Sequence, residues 1–183
     1  MKAAHAIPLL VLALLGLAGC AHAPKGPTYE SAARNPFIPT NQQAADVLML
    51  QLEDRLPAGS GPLLVATLVN IDALEQSSTL GRLVSEQVSA RFTQAGYKIV
   101  EMKFGNSVYM RQDQGEMMLT REVHELASTH AAKAVIVGSY AESKNYVFVN
   151  LKVVQPSTNA IIAVHDYALP VTDSVWSMLR GRR

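Results

Sequence analysis

The spacing of apolar positions changes along the chain, and each spacing predicts a different element. Residues 63–69 form an almost unbroken apolar run that ends in a polar turn at residues 70–72, which is typical of a strand buried on both faces. Apolar residues then recur every three or four positions, with Gly96 as the helix-ending residue. A further strand is predicted over residues 97–102. This order predicts a parallel β-α-β unit.

Two more helices are predicted on either side of this unit. Thr40 and Gln43 fit a capping box, so we expect the first helix to begin at Thr40. Thr120 can cap another helix, and its apolar face is expected to extend to Ala131. The intervening residues 104–118 contain glycine and asparagine, which indicates a loop with a short extended piece.

In the C-terminal third the apolar spacing becomes two. Residues 134–140, 146–154 and 160–167 are predicted strands joined by short connections, which indicates antiparallel hairpins with one core face and one partly solvated face. Asn159 suits a turn position with positive φ. A short closing helix is expected over residues 171–179. The predicted fold class is therefore α/β of the α+β kind, with a small mixed sheet of about five strands and helices packed on it.

The first residues have a different composition from the rest. Lys2 precedes an apolar run at residues 6–17, which is too short for a bilayer span of about 20 residues. The run closes on small residues before Cys20, the only cysteine. This order resembles a bacterial lipoprotein signal, cut between Gly19 and Cys20, whose cysteine carries a diacylglyceryl and an N-acyl chain. The alternatives are an ordinary cleaved signal with a chance cysteine, or a buried thiol. Beyond this lipid, no cofactor is expected.

The residue after Cys20 indicates the membrane. It is Ala21, whereas an aspartate there resembles the signal that retains lipoproteins in the inner membrane, so we expect a periplasm-facing outer-membrane anchor. Four prolines follow, and they indicate a tether that extends to at most about 60 Å. The predicted organisation is a signal at residues 1–19, a lipidated tether at 20–39 and a single domain at 40–183.

Charge excludes one class of partner. Without residues 1–19 the chain keeps 164 residues, enough for one core, and 15 basic side chains balance 15 acidic ones. A neutral surface has no long-range field for a phosphate backbone, so no nucleic acid is expected. Arg180, Arg182 and Arg183 form a basic end that is either solvated or in contact with lipid headgroups or peptidoglycan.

No catalytic or metal motif is complete. His124 and Glu125 lie on a predicted helix, but a zinc pair needs a second histidine where the chain has Ser128. Ser139 lacks the surroundings of a nucleophile elbow, and no glycine-rich phosphate loop occurs. We therefore expect a non-catalytic protein without a metal or a small-molecule substrate.

Specific segments accumulate between residues 63 and 170. They are Asn70-Ile71-Asp72-x-Leu74, Ser78-Thr79-x-Gly81-Arg82-Leu83-x-Ser85-Glu86-Gln87, Ser107-Val108-Tyr109-Met110-Arg111, Gly115-Glu116-Met117-Met118-Leu119-Thr120-Arg121, Val137-Gly138-x-Tyr140, Tyr146-Val147-x-Val149-Asn150 and Leu169-Pro170. In combination they resemble the FlgO family of flagellar outer-membrane lipoproteins. One departure is Asn159, where glycine is expected.

This resemblance implies a non-catalytic component of the ring or disk around the flagellar basal body, required for motility, with a domain similar to the amino-terminal domain of TolB. Such a subunit docks on other flagellar ring proteins and on further copies of itself. We expect polar or aromatic residues of the matching segments to supply part of this contact, namely Arg82, Glu86, Tyr109, Arg111, Glu116 and Arg121. The alternative is internal pairing, for instance of Arg82 with Glu86.

A competing hypothesis is a regulator of peptidoglycan synthesis like the LpoB lipoproteins, which share a tethered α/β plan. Such a regulator has to reach through the cell wall. At about 60 Å the tether is short for that task, which favours an assembly that stays near the outer membrane.

Overall fold

The computed structural model describes residues 26–74, 76–101, 110–113, 116–119 and 121–180, without the side chains of residues 101, 110–113, 116–119, 121 and 122. In chain order the elements are α1 Tyr29–Ala33, α2 Phe37–Leu52, β1 Pro62–Val65, β2 Val69–Asn70, α3 Thr79–Gln94, β3 Lys98–Glu101, β4 Met110–Asp113, β5 Glu116–Leu119, α4 Arg121–Thr129, β6 Ala134–Glu142, β7 Tyr146–Gln155, β8 Ala160–Pro170 and α5 Asp173–Arg180. Two compact units divide the chain, Met1–Asn35 and Pro36–Arg183.

The second unit is built on a mixed sheet of six strands. The strand order is β3-β1-β6-β7-β8, and the short β2 also pairs with β6. β1 lies parallel to β3 and β6, whereas the pairs β6–β7 and β7–β8 are antiparallel. The predicted α+β class, with a parallel β-α-β start and C-terminal hairpins, is confirmed.

The apolar run at residues 63–69 is not one strand, as predicted, but two. Ala66 still donates its N–H to the carbonyl of Ile136. The Leu68 N–H then bonds a residue of α3 instead of a neighbouring strand. There the buried Ser85 hydroxyl accepts the Leu68 N–H at 2.9 Å and bonds the Ala66 carbonyl at 3.2 Å. One serine on a neighbouring helix therefore satisfies the backbone where the strand breaks.

The predicted beginning of the first large helix is wrong by three residues. α2 begins at Phe37, with Pro36 as its N-cap residue, so Thr40 lies inside the helix. Pro39 falls in the first turn, where a missing N–H costs no intrahelical hydrogen bond. The helix therefore includes the last three residues of the predicted tether, 37–39. A short helix, α1, also lies within the predicted tether and is capped by the Thr28 side chain.

The end of α3 follows its sequence signal. Gly96 has φ of +88°, as its place after the last apolar residue predicts. Gly96 donates to the carbonyl of Thr93, and Tyr97 donates to the carbonyl of Phe92. The Phe92 and Tyr97 rings meet edge to face, with centroids 5.2 Å apart. These bonds and this ring contact form a Schellman motif.

Two predictions in the middle of the chain need correction. Residues 110–119 are not simply loop, because β4 and β5 pair as an antiparallel hairpin. Ala131 does not continue the apolar face of α4; it follows the helix with φ of +50° and is exposed. The positive φ at Asn159, 57°, is confirmed.

Side chains pack on both sides of the sheet. The front side is covered by α2, α3 and α5, and its core includes Leu48, Leu63, Phe92 and Leu151. The back side has a smaller cluster under α4, whose members are Leu64, Ala66, Val69, Val123, Ala127, Val135, Val137 and Val154. Burial of β1 on both faces is confirmed.

Two glycines of the matching segments allow close backbone approach. A Cβ at Gly138 in β6 would lie 2.8 Å from the Asn150 carbonyl oxygen and from Leu68. A Cβ at Gly81 in α3 would lie 2.5 Å from the Leu68 carbonyl oxygen. Both contacts are shorter than van der Waals distance, so these positions need glycine for packing.

Candidate assembly surfaces

The charged face of α3 carries two of the residues predicted to make contacts. Arg82 and Glu86 are both exposed, while Leu80 and Val84 of the same helix point into the front core. The Arg82 guanidinium donates to the Thr79 hydroxyl at 3.2 Å. Among the described residues no ion pair joins Arg82 to Glu86.

The other predicted contact residues lie in the following segment. Arg111 is in β4 opposite Met118, and Glu116 is in β5 opposite Asp113. Arg121 is the first residue of α4. Tyr109 lies outside the described residues, as do Gly19 and Cys20. The described backbone thus distributes the predicted set over α3, the hairpin and α4, and their contact role stays a prediction.

A second surface was not singled out from the sequence. On the back of the sheet, α4 covers β1, β6 and Val154 of β7, whereas Phe148 of β7 and much of β8 stay exposed. We call this uncovered area the open sheet face; its residues are Phe148, Asn150, Lys152, Val164, Asp166 and Ala168. The signal was present, because strict alternation in β7 assigns Phe148 to the side away from the core.

The open sheet face joins apolar and polar groups. Phe148 is 54% exposed and Val164 is 42% exposed, a high exposure for large apolar side chains. Between them the Asn150 amide donates to the Asp166 carboxylate at 2.7 Å. The Phe148 ring lies 6.3 Å from that of Tyr146. An apolar patch with satisfied polar groups is typical of a contact surface.

The free edge of β8 is partly closed by α2. The Gln51 amide donates to the Val164 carbonyl at 2.9 Å and accepts the Val164 N–H at 3.1 Å. The Arg55 guanidinium donates to the Ile162 carbonyl at 2.9 Å. These side chains take the hydrogen bonds that another strand would use, so they direct contacts toward the face of the sheet.

Among the described residues, the side chains considered for catalysis or metal binding lie apart from one another. His124 lines a cavity of about 560 Å³ beside Ser128 and Lys133. Nowhere in the described part of the chain do three or more His, Cys, Asp or Glu side chains converge as a metal site would require. Ser139 is buried in β6, between its β2 and β7 partners.

Tyr167 has a raised pKa and takes part in the packing of the domain. Burial raises the pKa of Tyr167 well above its usual value of 10.0. The Tyr167 hydroxyl donates to Asn41 Oδ1 at 2.6 Å, and Asn41 Nδ2 donates to Gln87 Oε1, also at 2.6 Å. Asn41 is fully buried. This chain of hydrogen bonds ties β8, α2 and α3 together.

No helix within the described residues combines the length and the apolar character needed to cross a membrane.

The fold is that of a small α+β domain with exposed residues on both sides of its sheet. A family model described as FlgO protein matches residues 42–174, which is more than half of the chain. The chain belongs to the FlgO family. No curated protein matches it in sequence.

Several solved structures are similar in backbone arrangement. The C-terminal domain of LpoB from Salmonella enterica has a TM-score of 0.48 at 15% identity, covering 69% of this chain and 94% of that one. A PelC dodecamer from Paraburkholderia phytofirmans has a TM-score of 0.42 at 12% identity, covering 63% and 76%. Lipoprotein GNA1162 from Neisseria meningitidis has a TM-score of 0.39 at 14% identity, covering 62% and 83%.

Proposed function

We propose that this FlgO-family protein is a non-catalytic lipoprotein of the flagellar apparatus. Lipid on Cys20 anchors it in the outer membrane, facing the periplasm, and the folded domain forms part of the ring around the basal body. The family match over residues 42–174 is the observation that carries the proposal. The lipoprotein signal that ends at Cys20 supports the anchor.

A ring closed by head-to-tail contacts needs two different patches on each subunit. The domain offers two on opposite sides of the sheet. The charged face of α3, with Arg82 and Glu86, lies on the front, and the open sheet face, with Phe148, lies on the back. Each patch would bury on the order of 800 Å² per partner in a contact of standard size. Neighbouring subunits include further copies of this chain and other flagellar ring proteins.

Deletion of the protein tests the proposed role. The deletion strain is expected to lose swimming, and electron cryotomography is expected to show basal bodies that lack ring density at the outer membrane. A strain with normal motors and altered sensitivity to cell-wall inhibitors would contradict the proposal and favour the peptidoglycan-regulator hypothesis.

The contact residues are tested by the double substitution Arg82→Ala with Arg111→Ala. We expect this variant to fold and be exported but to abolish swimming in a complementation assay, because ring contacts are repeated in every subunit. The matched control is Lys98→Ala with Lys133→Ala, which removes two exposed positive charges away from these segments. Normal swimming of the Arg82/Arg111 variant would refute this part of the contact surface.

The anchor has its own test. Mass spectrometry of the native protein is expected to show Cys20 as the first residue, carrying diacylglyceryl and N-acyl groups. An unmodified thiol at this position would contradict the anchor.

A further inference from the structure

One end of the domain carries aromatic and basic side chains on both sides of the sheet. We call it the turn end, because it surrounds the β6–β7 turn, and define it by Lys144, Tyr146, Trp176 and Arg180. Tyr146 on the back is 48% exposed and Trp176 on the front is 50% exposed. Lys144 is exposed in the turn itself. Tyr and Trp side chains are enriched at protein interfaces and at the membrane–water boundary, because each ring is apolar and carries one polar group.

The helix α5 is held against this turn by specific bonds. The Val171 N–H donates to the Asn145 carbonyl at 2.9 Å. The Arg180 guanidinium pairs with Glu142 at 2.5 Å, and its centre lies 4.3 Å from the centroid of the Trp176 ring. Trp176 is thus kept at the surface in a fixed position by a cation–π contact.

The chain also enters the domain at this end. Asn41, one turn into α2, bonds Tyr167, whereas Gln51 near the end of α2 bonds Val164. The N-terminus of α2 therefore points toward the C-terminal end of β8, where Pro170 lies opposite Tyr146.

The length of chain before α2 limits how far this end can move from an anchor. Residues from Cys20 to Phe37 span at most about 60 Å when fully extended, and the helix α1 within them shortens this reach. If Cys20 carries lipid, as the proposed function states, the turn end stays close to the bilayer. Contacts that would be weak between separate molecules are then favoured by their high local concentration.

We propose that the turn end rests on the phospholipid headgroup layer of the membrane that holds the anchor. Trp and Tyr rings favour the level of the headgroups, and basic side chains there are attracted to anionic lipid. Asp173, one turn before Trp176, and Glu142 reduce the positive charge, so the rings supply most of the contact. The sequence continues past Arg180 with two further basic residues, Arg182 and Arg183.

Trp176 is the only tryptophan of the chain, so its fluorescence reports on this contact directly. The lipidated full-length protein is reconstituted in vesicles of phosphatidylethanolamine and phosphatidylglycerol. We expect a blue shift of the emission and quenching by phospholipid brominated near the top of its acyl chains. The control variant is Trp176→Phe with Leu50→Trp. Leu50 is 66% exposed and lies beside Tyr97, at the opposite end of the sheet, so its replacement should not be quenched.

The charge contribution is tested with the Cys20→Ser protein, which cannot take the lipid. Adding Lys144→Gln is expected to weaken its partition into these vesicles about fivefold, the usual effect of one basic residue near an anionic surface. Lys98→Gln, at the opposite end of the sheet, is expected to leave partition unchanged.

The outcomes separate this proposal from the proposed function. Equal quenching in the unsubstituted protein and in the Trp176→Phe, Leu50→Trp control, or no quenching in either, would overturn the proposed contact of the turn end with the headgroups. This holds even when Cys20 carries its lipid. A blue shift of the Trp176 emission that occurs without vesicles and grows with protein concentration would also overturn that contact, because a second copy of the protein would then cover Trp176. If the native protein has an unmodified Cys20 and Trp176 is still quenched, the surface contact is supported and the anchor alone is contradicted.

Discussion

The two sides of the sheet are built differently. On the front, helices α2, α3 and α5 pack on the sheet, and the core side chains include Phe92 and six leucines of the strands and helices that are at most 1% exposed. On the back, the described residues form a smaller cluster of mostly valine and alanine, and α4 covers only part of the sheet. The front therefore specifies the fold, and the back leaves area for contacts.

Leu63 and Leu64 are adjacent in the chain but belong to the cores on opposite sides of the sheet. Both are 0% exposed in β1, but Leu63 points to the front and Leu64 to the back. We expect Leu63→Ala to lower the free energy of unfolding by about 4 kcal/mol and Leu64→Ala by about 2.5 kcal/mol, because a cluster under one helix relaxes more easily around a cavity. Urea unfolding of the two variants measures both values. Equal losses would show that the back cluster is as rigid as the front.

Much of this fold is predictable because local signals and burial agree. The alternation in residues 146–155 and the continuous apolar run at the start of β1 both describe which sides of the sheet are covered. Gly96 ends α3 as its place in the pattern predicts. Such signals depend on neighbouring residues alone, so sequence is sufficient to find them.

The incorrect predictions concern places where the structure depends on residues far apart in the chain. The break after β1 depends on Ser85, which is far along the chain and reaches Leu68 only in the folded protein. The capping-box pattern predicts that α2 begins at Thr40, but the helix begins at Phe37, because a proline is tolerated in a first turn. The open sheet face was missed for a similar reason, since alternation shows that Phe148 points away from the core but not that no helix covers it.

Asn41 tests how strongly the front depends on its buried polar bonds. Asn41→Leu keeps a side chain that branches at Cγ but leaves the Tyr167 hydroxyl and Gln87 without their partner, so we expect a loss of about 2 to 3 kcal/mol in unfolding free energy. Tyr167→Phe removes one hydroxyl and should cost about 1 kcal/mol. Thermal unfolding of the two variants is the measurement. No loss in Asn41→Leu would show that the network adds nothing to an apolar core.

Alkaline titration gives a second readout of the same bonds. The raised pKa of Tyr167 keeps its hydroxyl protonated in the fold, whereas unfolding exposes a phenol that titrates at about 10. The unfolded state therefore binds fewer protons above this pH, and the free energy of unfolding falls as pH rises. We expect Tyr167→Phe to reduce this fall. Part of the fall in unfolding free energy remains in this variant, because burial and Glu53 also raise the pKa of Tyr97.

The smallest expected effect on stability concerns the edge of β8. Gln51→Ala leaves the Val164 N–H and carbonyl to water, which should cost at most about 1 kcal/mol because both groups lie at the surface. The same change uncovers an edge that can pair with another strand, so we expect more self-association in sedimentation experiments. Gln94→Ala, an exposed glutamine at the end of α3, is the control. If Gln51→Ala does not increase self-association, the amide contributes to folding alone, and contacts through the open sheet face do not depend on a closed edge.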